Sequence, residues 1–128
     1  MATAESRTIP FSGVEAIDTA VLETFPYEGP EQEIVTTTNE FSAVCPFSGL
    51  PDQAKLTITY VPSDRCVELK SLKYYMMSYR NVGIFQEHAT ARLAEDLQRV
   101  LGARTLTVTT LYNVRGGFET TCSVTLKG

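Results

Sequence analysis

Between Ala54 and Val61 apolar and polar positions alternate: Leu56, Ile58 and Tyr60 against Lys55, Thr57 and Thr59. A period of two belongs to a strand with one buried face. Upstream, Glu33 to Glu40 carries the β-branched run Ile34-Val35-Thr36-Thr37-Thr38, which predicts another strand. From Leu69 the period changes, and Leu72, Tyr75, Met76 and Tyr79 fall at helical spacing. Asn81-Val82-Gly83 interrupts. A second helix is expected from about Phe85 to Leu101, with Leu93, Ala94, Leu97, Val100 and Leu101 on its apolar face. Glu95 and Arg99 would pair along it, and Gly102 would stop it. Alternation returns from Arg104 to Asn113 through Leu106, Val108 and Thr110, although Leu111 and Tyr112 blur the register. After a turn at Arg115-Gly116-Gly117, a last strand from Phe118 to Leu126 puts Phe118, Thr120, Cys122 and Val124 on one face.

The order ββααββ, with strands paired at both ends and helices between, predicts an α+β fold: an antiparallel sheet with two helices on one face. Residues 1–30 read as an arm that packs on the body or on a neighbouring subunit. Pro10, Pro26 and Pro30 break it, and Val14, Ile17, Val21 and Leu22 allow only short amphipathic turns. Residues 31–128 then form the single main domain. A sheet this small leaves edges that need covering, and joining subunits edge to edge into a closed ring is one solution.

Composition narrows the classes. A chain of 128 residues suits one domain with a real core. Its net charge of −4 argues against a surface built to neutralise nucleic-acid phosphates. Cys45, Cys66 and Cys122 are three cysteines without zinc spacing, beside a single histidine, His88, so neither a disulfide framework nor a metal site is expected. No basic-then-apolar leader and no membrane-length apolar run is visible, so a cytoplasmic, reducing setting is expected.

Four patches carry possible chemistry, each with a plainer structural reading beside it. Cys45-Pro46-Phe47-Ser48-Gly49-Leu50-Pro51-Asp52 reads as a shaped loop, with two prolines and a glycine between a thiol and a carboxyl. Thiolate is the reactive form of cysteine, and a nearby acid can protonate what the sulfur attacks. A half-buried structural cysteine and a turn aspartate explain the same residues. Glu68, at the entrance to the first helix, could accept two hydrogens from a guanine-like edge, and Lys70 and Lys73 could meet a phosphate or simply be solvated. Gln86 and Glu87 suit a helix start or a polar heterocycle. Arg115 and Gly116 offer a planar fork and an approachable backbone, or only a hairpin turn.

Taken together, the Cys45–Asp52 string, Val67-Glu68-Leu69-Lys70-Ser71-Leu72-Lys73-Tyr74-Tyr75, Ser78-Tyr79-Arg80-Asn81, Phe85-Gln86-Glu87 and Arg115-Gly116-Gly117 closely resemble the short, single-module NADPH-dependent 7-cyano-7-deazaguanine reductases. The resemblance implies the tunnelling fold and assembly into rings, pentamers or stacked pentamers, with sites between subunits. It implies a reduction of the substrate's nitrile to an aminomethyl group, a step toward queuosine in transfer RNA. By this likeness Cys45 adds to the nitrile carbon to give a thioimide and Asp52 protonates the nitrogen. Val67, Glu68, Leu69, Gln86 and Glu87 would bind substrate. Lys70, Ser71, Lys73, Arg115 and Gly116 would hold NADPH, which supplies hydride twice. No metal, nucleic acid or membrane partner is implied.

The physics suits those roles. A nitrile is a poor hydride acceptor, and sulfur addition turns one hard step into easier ones. The nucleophile has to be thiolate near neutral pH, so the Cys45 pKa is expected to be lowered. One departure stands out: the family usually has histidine where this chain has Gln86, and His88 lies on another side of a regular helix. Gln86 is therefore expected to suffice for binding. Two other readings remain beside the reductase. One is an amidinotransferase-like relative that attacks the same thioimide with ammonia. The other is a non-catalytic purine- or pterin-binding module.

Overall fold

A computed structural model describes residues 7–128; residues 1–6 of the expected arm lie outside them. Four strands form one antiparallel sheet in the order β2-β3-β5-β6. They are β2 (Ile34–Val44), β3 (Pro51–Val61), β5 (Thr105–Tyr112) and β6 (Thr121–Lys127). Two helices, α1 (Leu69–Met77) and α2 (Gln86–Leu101), lie between the two strand pairs in sequence. The expected ββααββ order holds. A short outlying pair, β1 (Thr24–Pro26) with β4 (Arg65–Val67), has no counterpart in the sequence reading.

Burial follows the strand period. Leu56, Ile58 and Tyr60 on β3 and Leu106, Val108 and Thr110 on β5 are buried together with Leu93, Ala94 and Leu97 of α2. Tyr112 does not blur the register: it is the next inward position of β5, at 2% exposure. Burying one apolar face of sheet and helix is the main favourable term holding these layers together.

Three boundaries differ from expectation. β2 runs past Glu40 to Val44 because its register shifts between Thr38 and Phe41. Before that bulge the even positions Ile34, Thr36 and Thr38 are half-buried; after it the odd positions Phe41 and Ala43 are buried. A phase change of this kind hides a strand from a period-two search. β3 begins at Pro51, so Asp52 sits in a strand and the loop is only Cys45 to Leu50. Proline is tolerated at the first residue of a strand. β6 begins at Thr121, leaving Phe118 exposed in the preceding turn.

Helix α2 ends at Gly102, whose φ of 54° is the left-handed cap. Arg99 pairs with Asp96 at 3.1 Å, not with Glu95 as the spacing suggested. Asp96 is the stronger attractor because it is buried and also binds Arg92 Nε at 2.8 Å and the Tyr75 hydroxyl at 2.7 Å. Tyr75 in turn meets Tyr79 at 2.8 Å, which joins α1 to α2 through a polar network. Burial pushes the phenol pKa values of Tyr75 and Tyr79 upward, keeping them neutral. In the N-terminal segment, Ile17 and Leu22 join the core cluster, beside two short 3-10 turns at Val14–Ala16 and Thr19–Val21.

Candidate active site

The cysteine loop is held at both ends. Cys45 N donates to Leu50 O at 2.8 Å and Gly49 N donates to Cys45 O at 2.9 Å. Gly49 has φ 74°, and a Cβ there would lie 2.1 Å from the Ile9 carbonyl oxygen. Only glycine fits such a position. The turn folds the backbone N–H groups of Ser48 and Phe47 back onto the Cys45 sulfur. Those donors, Ser48 foremost, lower the thiol pKa against a smaller opposing effect of burial, with a minor contribution from the Arg115 charge. Hydrogen bonds to the charged form favour it.

The ladder sets the carboxylate at the end of β3 that meets the cysteine loop. Ala43 stands opposite Asp52 in the β2–β3 register. Cys45, two residues on, follows the end of β2, and its N–H bond to Leu50 O carries the pairing one residue past Val44–Pro51. Asp52 is 6% exposed. Arg115 Nη1 donates to both of its oxygens, at 2.8 and 2.7 Å.

The start of α2 reaches the same place. Ile84 N donates to Val44 O at 3.2 Å, which brings the residues before α2 alongside the residue before Cys45. Phe47 and Phe85 then meet edge to face at 5.6 Å. Phe85, Gln86, Glu87, Arg115, Phe118 and Thr120 line a cleft of about 290 Å³. It offers a carboxylate, an amide and a guanidinium between two aromatic rings, the donor and acceptor set that a guanine-like base needs. His88 is not part of its wall and lies against Phe85, with ring centroids 6.0 Å apart.

Val67, Glu68 and Leu69 lie elsewhere, in the wall of a larger and mostly apolar cleft of about 570 Å³ with Phe25, Tyr27 and Tyr60. Glu68 is the N-cap of α1: its carboxylate accepts from Lys70 N and Ser71 N, each at 2.8 Å. Those two bonds, Lys70 N first, lower its pKa. Ser71 is buried, and its hydroxyl donates to Glu68 O at 2.7 Å and accepts from Glu23 N at 2.9 Å. Lys70 is exposed, while Lys73 Nζ meets Glu40 at 2.8 Å on the surface.

The predicted residues therefore fall into two groups. Cys45, Asp52, Gln86, Glu87, Arg115 and Gly116 gather at the Pro51 end of β3. Val67, Glu68, Leu69, Lys70 and Ser71 gather near Tyr60, whose hydroxyl accepts from Val67 N at 3.1 Å, while Lys73 reaches Glu40 in the bulge of β2. Eight residues of strand separate Asp52 from Tyr60, about 26 Å at ~3.3 Å per residue. That is several times the width of a bicyclic base, so one chain does not bring Glu87 and Glu68 to one base.

Comparison with known proteins fits this geometry. Residues 51–127 match the family model described as QueF-like protein. The chain belongs to the QueF family. Relatives from Thermotoga maritima and Thermotoga petrophila are each 52% identical over 122 residues, covering 94% of this chain and 89% of theirs. A relative from Thermoanaerobacter pseudethanolicus is 54% identical over 118 residues, covering 91% of this chain and 89% of its own. All three are named NADPH-dependent 7-cyano-7-deazaguanine reductase. Among solved structures, the apo archaeosine synthase QueF-Like aligns with a TM-score of 0.68 at 22% identity, over 79% of this chain and 98% of that one. The latter likeness supports the tunnelling fold alone.

Three residues in or beside the candidate site are not among the expected site residues: Phe85, Phe118 and Tyr112. Phe85 and Phe118 line the smaller cleft; the spacing assigns Phe85 only to the Phe85-Gln86-Glu87 helix start and Phe118 only to a strand face. Tyr112 is the other omission. Its buried hydroxyl has no hydrogen-bond partner among the described residues. Burial, with smaller contributions from Cys122 and Asp52, raises its pKa. Extending the alternation of β5 by one inward position would have found it.

Proposed function

We propose that this protein reduces the nitrile of 7-cyano-7-deazaguanine to an aminomethyl group with NADPH, through a thioimide on Cys45. The observation that carries the reading is a thiol of lowered pKa in a loop whose Phe47 packs on Phe85, in the wall of a cleft that contains Glu87 and the Arg115 paired with Asp52. Relatives of that name, about half identical along nearly the whole chain, support it. In this reading Glu87 and Gln86 grip the guanine-like edge, and Phe85 and Phe118 flank the ring. Cys45 Sγ bonds to the nitrile carbon, and Asp52 supplies the proton to nitrogen. Bound NADPH would supply the two hydrides that take the C=N carbon to the amine. Lys70 and Lys73 suit its phosphates: they project three residues apart from α1, and the exposed Lys73–Glu40 pair is cheap to exchange. Gly116, open where a Cβ would stand, allows a close backbone approach.

The separation of the two residue groups favours a homo-oligomer, with the Cys45 group of one copy facing the Glu68 group of the next. The edge strands β2 and β6 are available for such pairing. Within this reading residues 31–128 act as the catalytic domain and residues 1–30 as its arm. The protein works in the cytoplasm on a free base, without a nucleic-acid partner. Among the described residues no helix is long and apolar enough to cross a membrane.

The test is direct. Mixing the protein with 7-cyano-7-deazaguanine, without NADPH, should add the mass of one ligand to the peptide bearing Cys45. NADPH should then be consumed, read at the nicotinamide absorbance. Absence of both the adduct and the consumption overturns the reading.

A further inference from the structure

The stretch from Ile9 to Ser12 lies across the cysteine loop. Ile9 N donates to Ser48 O at 2.9 Å. That oxygen belongs to the peptide unit whose other end, Gly49 N, donates to Cys45 O at 2.9 Å. A peptide unit is planar, so fixing its oxygen fixes its N–H. One rigid plate is thus clamped between the arm and the backbone of the nucleophile. The Ile9 carbonyl closes over the same plate, occupying the space of a Cβ on Gly49. Three residues on, Ser12 N donates to Asn81 O at 2.7 Å and Gly83 N donates to Ser12 O at 2.9 Å. The Phe11 ring lies against Gly83, with Cε1 2.2 Å from where a Cβ there would stand. The far side of this stretch before α2 pairs with Val44. Arm, lead into α2 and end of β2 therefore run side by side, and the cysteine loop and α2 continue from two of them. Ile9 and Phe11 are exposed, so they add little buried apolar area to the fold. The arm is anchored independently further on, by Ile17 and Leu22 in the core and by Glu68 N donating to Glu23 O at 2.9 Å.

We infer that Ile9 is a positioning residue for the cysteine loop: its N–H holds the Ser48–Gly49 peptide, and through it the backbone of Cys45, in the shape that presents the thiol for addition. The inference rests on the role given above to Cys45. The donors that favour the thiolate are the backbone N–H groups of Ser48 and Phe47, and both sit in this turn. The loop's own ties are few, Cys45 N to Leu50 O and Gly49 N to Cys45 O. A short exposed loop held by so little opens locally at small cost. The bond from Ile9 closes that route from outside the loop. The charge that also favours the thiolate, Arg115, is held by Asp52 and stays in place when the Ile9 bond is cut.

The test uses the full chain. Ile9→Pro deletes the N–H and little else, because Ile9 precedes Pro10 and is already confined to extended backbone. Ile9→Ala keeps the N–H. For both variants and the wild type, the pH midpoint of iodoacetamide alkylation is read on the peptide bearing Cys45. Adduct formation with 7-cyano-7-deazaguanine, without NADPH and near neutral pH, is followed by acid-quenched intact mass, and the thermal midpoint is recorded. Ile9→Pro should raise the alkylation midpoint by at least about half a pH unit, toward the ~8.5 of a free cysteine. Adduct formation should slow about three- to fivefold, the weight of one hydrogen bond. The thermal midpoint should stay within about 3 °C, because the loop opens without the rest of the fold. Ile9→Ala should match the wild type in every readout. Ser12→Pro, which cuts the neighbouring anchor to Asn81 O, should repeat the Ile9→Pro pattern and decides the matter if Ile9→Pro does not fold. An unchanged alkylation midpoint in Ile9→Pro overturns the inference. An equal loss in Ile9→Ala overturns it too, since the side chain would then be the contact that matters. So does a larger fall in the thermal midpoint, which would assign the arm to the stability of the whole fold. If the wild type forms no adduct, it is the proposed function that fails, and the alkylation midpoint alone decides this inference.

Discussion

If the two residue groups meet only across a subunit boundary, two inactive variants should rescue each other. Cys45→Ala removes the nucleophile at one end of β3, and Glu68→Ala removes the carboxylate at the other. The ~26 Å of strand between Asp52 and Tyr60 means that neither end can complete a site within its own chain. In assemblies refolded from an equal mixture, an intact site needs a Glu68→Ala copy to supply the Cys45 half. A Cys45→Ala copy must then supply the neighbouring Glu68 half. Random assembly gives that arrangement at about one boundary in four, so the mixture should recover roughly a quarter of wild-type turnover. Glu68 caps α1 with two 2.8 Å bonds, and losing them should cost about 1 kcal/mol. That lowers the thermal midpoint by roughly 4 °C, leaving the variant folded at assay temperature. The assay is NADPH consumption with 7-cyano-7-deazaguanine, alongside light scattering to verify assembly. A mixture no more active than the sum of its parents, with both variants folded and assembled, would refute a site shared between copies.

Other consequences can be checked singly. The Cys45 pKa is lowered and the thiolate is the deprotonated form, so its alkylation should reach half-maximal rate at a pH below the ~8.5 of a free cysteine; a midpoint at or above that value contradicts the loop geometry. Gly49→Ala should destabilise by about 1–3 kcal/mol in urea unfolding, because φ 74° and the nearby Ile9 carbonyl leave no room for a methyl; an unchanged midpoint would mean the loop is not held as described. Asp96→Ala removes the buried acceptor that Arg92, Arg99 and the Tyr75 hydroxyl share and should cost about 1–3 kcal/mol; an unchanged unfolding midpoint would show that the network is not what joins the helices. Gln86→His should leave turnover within about threefold, since an amide in that cleft needs only to hydrogen-bond the base; an increase of tenfold or more would show that the position has to titrate.

The strand and helix order was legible because most elements keep one period from end to end. β3 reads inward at every even residue from Asp52 to Tyr60, and α2 keeps one apolar face up to Gly102. Legibility failed where a local rule is broken for a reason outside the window. The bulge in β2 reverses its phase, so Phe41 and Ala43 look like loop residues although both are buried. Pro51 mimics a turn because its missing donor matters only in the strand interior. β1 and β4 are three residues each, and what holds them is mutual pairing between segments some forty residues apart, which no local period reports.

The site divides along the same line. The loop chemistry of Cys45 is written in its neighbours: Ser48 supplies a donor and Gly49 permits the turn. The partner of Asp52 is not, because Arg115 reaches it through the β3–β5 register across 63 positions of sequence. Nor does spacing reveal that Glu68 caps a helix at the far end of the strand from Cys45. A motif records which side chains recur together. Only the ladder shows how far apart one chain holds them, and here it separates the thiol from the Glu68 string.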